Sequence, residues 1–436
     1  MRGFITGIPK ELNQFVSQFC GRGDILARIN SMSVFEPTTL DRRDLFLARA
    51  YYFAYLGGWG FILPFINLFY VSLGLNGKQI GTLAATGSLI GLVLAPLLVS
   101  EVKKRPRPER YLQWALALGA LAYLLLGQQT SFLPILVIVF FQALVMAGLV
   151  PLSDSMAVSV AASAGTGYGG VRVWSSVGWI LSVLSAGWLI ERLGFAAGFG
   201  GVAFGFLLAG SLLFFIRPRH FSGPQQQVSE QPKSDLRAAL GRVWRDPVLL
   251  AFAVALVFIG FLNNGVLQFE NVYLAELGAS KTLISVAGIL SAVVELPFMV
   301  WADKIMRRAS APRLMLLAFV IIIFQRLLVL AFPSIASIMA ARFIGGTSFS
   351  FYTVAFIGLI SSRTQASETG TVLALYTITI SGLVTMLAAP VSGAIFDAVG
   401  ARWLYALSML GYAIGLVSLG LAVRKIQKEP HANLIS

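Results

Sequence analysis

Six ionisable side chains lie well inside long apolar stretches of this sequence. They are Asp154, Arg172, Glu270, Glu295, Arg326 and Arg342. A charged side chain at the centre of a membrane helix costs about 2.5–3.5 kcal/mol on insertion scales, so such residues are rare and mark functional positions. Because three are acids and three are arginines, we expect their charges to compensate one another inside the membrane.

One helix face carries a guanidinium, a hydroxyl and an indole in a single stripe. Arg172, Ser176 and Trp179 are spaced i, i+4, i+7, which aligns them on an α-helix. Paired with Asp154, they predict a site that binds the polar edge of a hydroxylated or carboxylated ring by charge-assisted hydrogen bonds, with the indole against its apolar face. The alternative is that Asp154 and Arg172 form an ion pair that serves only helix packing.

The remaining intramembrane charges suggest proton coupling. Counting residues from the hairpin turns places all six charges near the middle of the membrane. A carboxyl group that leaves water favours its protonated form, and a nearby arginine restores the charged form. We therefore predict Glu295 as the proton carrier with Arg326 as its partner, and Glu270 with Arg342 as the second choice. With two His and one Cys in the chain, we expect no metal or other cofactor beyond the coupling proton.

Composition requires a membrane environment for these charges. The chain has 436 residues, of which 57% are apolar and 12% charged, against roughly 45–50% and about 25% in soluble domains. Twelve apolar runs, each long enough for a membrane helix, predict an all-α membrane protein with twelve transmembrane helices in two six-helix halves. The predicted units are an N-terminal extension (1–44), a first half (45–216), a linker (217–247), a second half (248–423) and a C-terminal tail (424–436).

The basic residues predict the orientation of the chain. Its net charge is +14, a value that would suggest nucleic-acid binding in a soluble protein. If the N-terminus is inside, 25 of the 33 Lys and Arg residues fall on the cytoplasmic side and four on the outside, a strong positive-inside bias. We therefore expect both termini in the cytoplasm, a multi-pass protein of the cell (inner) membrane, no nucleic acid, and a monomer that contacts a small solute and the lipid bilayer.

The two halves repeat at an offset of 202 to 206 residues. The matching features are Leu73-Gly74 with Leu277-Gly278, the charged turn Glu101 to Lys104 with Asp303-Lys304, and Gly187 to Gly194 with Gly393 to Gly400. Parallel repeats of six helices are typical of secondary transporters that bind solute between the halves. We predict that the charged turns of Glu101 and Lys104 and of Asp303 and Arg307 gate the cytoplasmic side.

Residues 167–179, with Arg172 and Trp179, resemble the helix 5 signature of the lactose permease and phenylpropionate transporter branch of the major facilitator superfamily, the oligosaccharide:proton symporter-like branch. The resemblance implies that Arg172 and Trp179 contact substrate, that Asp154 is the acidic partner, and that Arg326 is the intramembrane arginine of helix 9. The sequence departs from this branch at Gly345 and Ser348, where lactose permease carries a His and a Glu for proton handling. Galactoside specificity is therefore unsupported.

These observations favour a proton-coupled importer of a sugar, nucleoside or aromatic acid that works by alternating access. An exporter or an uncoupled facilitator of the same superfamily remains the main alternative. A membrane-embedded enzyme is the reading from another class. It is disfavoured because both histidines, His220 and His431, lie in the predicted cytoplasmic segments, away from any cluster that could carry out catalysis.

Overall fold

The computed structural model describes residues 38–221, 236–306 and 310–428. Within these ranges the first half of the chain forms six helical rods. They are α1 (Thr39–Gly60, continued after a turn by Ile66–Ser72), α2 (Gly77–Lys103), α3 (Glu109–Leu126), α4 (Phe132–Met146 and Leu149–Ser163), α5 (Gly169–Leu193) and α6 (Phe195–Leu213).

Six further rods form the second half, after an amphipathic linker helix (Leu236–Arg245). They are α7 (Pro247–Glu276), α8 (Lys281–Met306), α9 (Ala311–Ala331), α10 (Ile335–Ser361), α11 (Ala366–Ala374, a π-helical stretch Leu375–Ile380, and Ser381–Val399) and α12 (Ala401–Lys428). Among the described residues, nine helices are long and apolar enough on their own to cross a membrane. The rods α1, α3 and α8 complete the predicted set of twelve.

Equivalent turns in the two halves share one backbone conformation. Gly74 and Gly278, which follow α1 and α7, have φ of +80° and +88°, and Gly194 and Gly400, which follow α5 and α11, have φ of +78° and +82°. Residues with a Cβ rarely adopt this left-handed region, so glycine ends the helix at the same place in each half. The spacing of the repeated sequence motifs thus corresponds to a structural repeat.

The two halves pack together at one end. The chain begins α1 and ends α12 on one side, here termed the termini face, and the opposite side is termed the distal face. One buried apolar cluster runs from the first half into the distal portions of the second, including Phe269, Ile284 and Leu404. A separate cluster, with Phe252 and Phe319, fills the second half nearer the termini face.

Candidate functional site

The second half contains an ion pair between α7 and α10. Both Nε and Nη2 of Arg342 contact Oε2 of Glu270, at 2.9 and 2.7 Å. The hydroxyl of Tyr405 in α12 donates to Oε1 of the same carboxylate at 2.9 Å, and Nη1 of Arg326 lies 3.9 Å from it. Glu270 therefore has a compensated charge and occupied lone pairs, which is the arrangement that makes a buried carboxylate tolerable.

Arg326 is held by polar side chains of two other helices. Its Nε donates to the Ser408 hydroxyl at 3.0 Å and its Nη2 to Oδ1 of Asn263 at 3.3 Å. Ser408 also donates to Asn263 Oδ1 at 2.6 Å, and the guanidinium lies over the Tyr405 ring, 5.6 Å from its centroid. This network connects α7, α9 and α12 around one positive charge.

A cavity of about 600 Å³ opens beside this network, a size within the usual range for small-molecule sites. Its polar lining includes Asn263, Asn264, Glu270, Ser291, Glu295, Gln325, Arg326, Arg342, Ser348 and Tyr352. Of the two acids, only Glu270 is paired. The side chain of Glu295 is half-buried and forms no hydrogen bond or ion pair with any residue that the structure describes.

In the first half, Asp154 accepts three hydrogen bonds on one oxygen. The hydroxyls of Tyr52 and Tyr168 donate to Oδ1 at 2.6 and 2.8 Å, and Nη1 of Arg172 at 3.1 Å. The side chains of Arg172 and Asp154 remain 42% and 36% exposed, so both retain polar atoms for another partner. Ser176, on the same face of α5, is exposed.

Arg172 and Glu270 lie at different depths along their helices. Arg172 lies three residues from the start of α5 at the termini face, and Glu270 lies six residues from the distal end of α7. Arg172, Asp154, Ser176 and Trp179 are also not among the residues that line the cavity. The expectation of a common depth does not hold for Arg172, because α5 begins only at Gly169, six residues beyond Ser163, from which the count started.

At the distal face, a carboxylate from each half caps a helix of the other half. Asp397 of α11 accepts hydrogen bonds from the backbone N–H groups of Gly77 (2.6 Å) and Lys78 (3.0 Å) at the start of α2. Glu191 of α5 accepts from the N–H of Thr282 at 3.0 Å and from its hydroxyl, at the start of α8. The two caps are related by the internal repeat, and both use the positive end of a helix dipole.

Close helix contact accompanies these caps. A Cβ on Gly393 of α11 would overlap the carbonyl of Gly77 in α2, and a Cβ on Gly187 of α5 would overlap the hydroxyl of Ser285 in α8. The amide of Asn67 also donates to the carbonyl of Gln268 across the halves at 2.7 Å. The structure is therefore closed at the distal face.

The charged turn after α2 makes contacts within the first half. Glu101 pairs with Lys104 at 3.5 Å and with Arg105 at 3.7 Å, and all three side chains are exposed. Asp303 lies in α8, but its side chain and all of Arg307 are outside the described residues. The proposed gating role of these turns stays a prediction.

Several residues of these networks had no sequence signal of their own. Tyr52, Tyr168 and Tyr405 are hydroxyl donors to intramembrane carboxylates, yet a tyrosine in an apolar run looks like an ordinary packing residue. Asn263 and Asn271 were visible only as polar residues within a hydrophobic stretch. Glu191 and Asp397 lie in the repeated motifs, but their partners belong to the opposite half.

The twelve-helix repeat, the solute-sized cavity and the paired charges define a multi-pass membrane transporter. A family model described as the MFS_1 like family matches residues 46–407, and the chain belongs to this family. The match confirms the resemblance to the major facilitator superfamily.

Relatives and solved structures agree with this assignment. The chain is 29% identical over 272 residues to the maltose permease of Geobacillus stearothermophilus, covering 62% of this chain and 67% of that protein. It is 26% identical over 274 residues to the probable 3-phenylpropionic acid transporter of Escherichia coli (strain K12), covering 61% and 69%. The solved nucleoside transporter NupG has a TM-score of 0.70 at 14% identity, covering 89% of this chain and 100% of that one.

A bacterial homolog of the human lysosomal transporter Spinster, solved in an inward-facing and unoccupied conformation, is also similar. Its TM-score is 0.68 at 15% identity, and the match covers 90% of this chain and 98% of that one. At this level of identity the likeness supports the shared fold.

Proposed function

We propose that this transporter carries a small organic solute together with a proton by alternating access to the cavity lined by α7 to α12. The unpaired carboxyl of Glu295 in the cavity wall is the observation that carries the proposal. A charged group with no counterion is costly in a closing, dehydrating cavity, whereas the protonated form is not. Proton binding at Glu295 would therefore be linked to cavity closure.

Orientation follows from the distribution of basic residues. We place the termini face in the cytoplasm and the distal face outside the cell, in the inner membrane, because 25 of the 33 Lys and Arg residues are in segments assigned to the termini side. The distal caps of Asp397 and Glu191 then close the external entrance. In this assignment the structure is inward-facing, the state that releases an imported solute.

Glu270 has a different role from Glu295 in this proposal. Its carboxylate is fixed by Arg342 and Tyr405, and protonation would remove the counter-charge of Arg342. We assign Glu270 and Arg342 to shaping the cavity and Glu295 to carrying the proton. Of the two candidates from the sequence, we therefore favour Glu295 with its unpaired carboxyl over the Glu270–Arg342 pair.

Solute recognition would use both halves. Amides and hydroxyls of Asn263, Gln325 and Ser348 in the cavity wall suit a solute with several hydroxyl or carboxyl groups. Asp154 and Arg172 retain exposed polar atoms and would reach the solute when the termini face closes, with Ser176 and Trp179 beside them. Sugars, nucleosides and aromatic acids fit this lining, and relatives named for maltose, 3-phenylpropionic acid and nucleosides define a practical first screen.

The proposal is tested with purified protein in two steps. A thermal-shift screen of sugars, nucleosides and aromatic acids identifies a solute that stabilises the protein. Proteoliposomes loaded with a pH-sensitive dye then report proton entry when that solute is added outside. Solute-dependent acidification is expected for symport, whereas solute uptake without acidification would indicate an uncoupled facilitator, and alkalinisation would indicate exchange for protons.

A further inference from the structure

A groove between α9 and α12 opens at the termini face, apart from the cavity that Glu270 and Glu295 line. Its volume is about 490 Å³, and its lining combines the two arginines Arg313 and Arg424 with apolar side chains such as Leu316, Leu416 and Leu421. Both arginines are exposed. A groove with a cationic mouth and an apolar body has the chemistry of a binding site for an anionic lipid.

Positions along α12 place Arg424 at one end of the apolar part of the groove. Arg424 lies eight residues beyond Leu416 on α12, which corresponds to roughly 12 Å of helix. Val417 and Leu421, on the same stretch, are 59% and 61% exposed. The apolar part of the groove therefore faces the hydrocarbon, and the arginines lie at its end, where lipid headgroups are found.

Gly420 leaves the groove open. A Cβ at this position would have only Leu316 Cδ2 near it, at 4.0 Å. The space that a longer side chain would fill is therefore available to an acyl chain that packs between α9 and α12.

The internal repeat gives a comparison within the same chain. Arg217, just after α6, precedes Arg424 by 207 residues, within one residue of the 206-residue offset between the starts of α6 and α12. It contacts two carboxylates of α1, with Nη2 2.6 Å from Asp41 and Nε 2.5 Å from Asp44. In the first half, protein carboxylates therefore neutralise the arginine at the termini face.

The second half lacks this arrangement. The counterpart of Asp41, 205 residues later, is Asp246, which caps α7 through the N–H groups of Val248 and Leu249 and lies 3.4 Å from Arg363. Leu249 occupies the position equivalent to Asp44. Within the described part of the chain, Arg313 and Arg424 form no ion pair, so the counter-charge found in the first half is missing here.

We propose that the groove between α9 and α12 binds a phospholipid with an anionic headgroup, such as phosphatidylglycerol, whose phosphate contacts Arg313 and Arg424 and whose acyl chain packs over Gly420. The bound lipid supplies the negative charge that Asp41 and Asp44 supply in the other half. Removal of this lipid would leave the ends of α9 and α12 with uncompensated positive charge and an unfilled groove.

The test compares lipid binding by matched variants of the full-length protein. Native mass spectrometry counts retained phosphatidylglycerol, and thermal unfolding in detergent measures stabilisation by added phosphatidylglycerol against phosphatidylcholine. The variant R313Q/R424Q removes the two charges, Gly420→Leu fills the groove while keeping them, and R42Q/R110Q removes two exposed arginines of the first half as a charge-matched control.

We expect the wild-type protein and R42Q/R110Q to retain phosphatidylglycerol and to be stabilised by it more than by phosphatidylcholine. R313Q/R424Q and Gly420→Leu should each lose at least three-quarters of that preference. Retention by R313Q/R424Q equal to that of the control would overturn the proposal, and so would equal stabilisation of the wild-type protein by both lipids.

Discussion

Arg342 donates a 2.6 Å hydrogen bond from Nη2 to Oδ1 of Asn271, and the amide nitrogen of Asn271 donates at 2.7 Å to the carbonyl of Pro64 in the opposite half. One side chain thus links the charged network of the cavity to the closed distal face. A solute that contacts Arg342 would act through one hydrogen bond on Asn271, which contacts the opposite half. This relationship gives alternating access a physical connection between binding and gating.

Removal of the Asn271 side chain should weaken both the closure of the distal face and the binding of solute. In Asn271→Ala, the distal face loses one hydrogen bond between halves and Arg342 loses one acceptor. We expect faster labelling of a cysteine behind the distal gate and weaker solute binding. Val183 is fully buried near Gly288 of α8, so Val183→Cys in a Cys20→Ser background reports gate opening through its reaction with a maleimide.

The control for Asn271→Ala is Asn67→Ala, which also removes one hydrogen bond between halves but none to the cavity arginines. Asn67→Ala should speed labelling without changing solute affinity. If both variants bind the solute as the wild-type protein does, the proposed link between the cavity and the gate is wrong.

The carboxylate caps should hold the distal face closed. Loss of a capping side chain at a helix N-terminus costs about 0.5–2 kcal/mol, which corresponds to a change of roughly 2- to 30-fold in a two-state equilibrium. Asp397→Ala should increase the distal-open population by a factor in that range, measured by the same Val183→Cys labelling. Asp397→Asn retains one acceptor oxygen, so its labelling rate should lie between those of the wild-type protein and Asp397→Ala. Unchanged labelling in Asp397→Ala would rule out a gating role for this cap.

The linker at the termini face should make stability depend on pH. His220 is 1% exposed, its Nε2 lies 2.9 Å from Asp44, and its Nδ1 lies 3.2 Å from the Ser159 hydroxyl. Burial lowers the pKa of His220 below its ordinary value, the nearby Arg217 and Arg219 add to this, and Asp44 opposes it. A neutral imidazole that carries its proton on Nε2 satisfies both hydrogen bonds.

The direction of the pH effect follows from proton linkage. As the pH is lowered, His220 takes up a proton in the unfolded chain at about pH 6.5 but only at a lower pH in the folded protein. The free energy of unfolding therefore has its full His220 contribution above about pH 6.5 and loses it as the pH falls below that value. Thermal unfolding between pH 8 and pH 5 should show this loss in the wild-type protein and less of it in His220→Gln. An equal slope in both proteins would assign the pH dependence to other groups.

The variant Arg172→Lys should show whether the Asp154–Arg172 pair binds solute or serves only helix packing. Arg172→Lys keeps the positive charge near Asp154 but replaces a planar fork of donors with a single ammonium group. If Arg172 contacts the solute, affinity should fall by about tenfold or more, while the unfolding temperature without solute changes little. Near-normal affinity in Arg172→Lys would return the Asp154–Arg172 pair to a packing role.

The sequence predicted the features that depend on local chain properties. The helical spans, the repeated positions of Gly74 and Gly278, and the pairing of Asp154 with Arg172 are set within one helix or hairpin. The partner of Arg326 was predicted less well. Arg326 contacts Asn263 and Ser408 and lies 3.9 Å from Glu270, because α12 packs against both α7 and α9. The side chain of Glu295 forms no ion pair with any residue that the structure describes.

The contacts between halves lay beyond sequence reasoning for a physical reason. Asp397 and Glu191 cap helices about 320 and 90 residues away in the chain, and these contacts join the two halves at the face that is closed in this structure. A transporter alternates between states, so one sequence must be compatible with more than one set of partners.

The proposed proton coupling depends most directly on Glu295 as the proton carrier. The decisive measurement compares uphill solute accumulation, driven by a proton gradient, with counterflow exchange at equal pH in proteoliposomes that contain Glu295→Gln. A permanently neutral side chain can take part in solute exchange but cannot release a proton, so we predict that accumulation is lost and exchange is retained. Accumulation at the wild-type level, or equal loss of accumulation and exchange, would contradict the account.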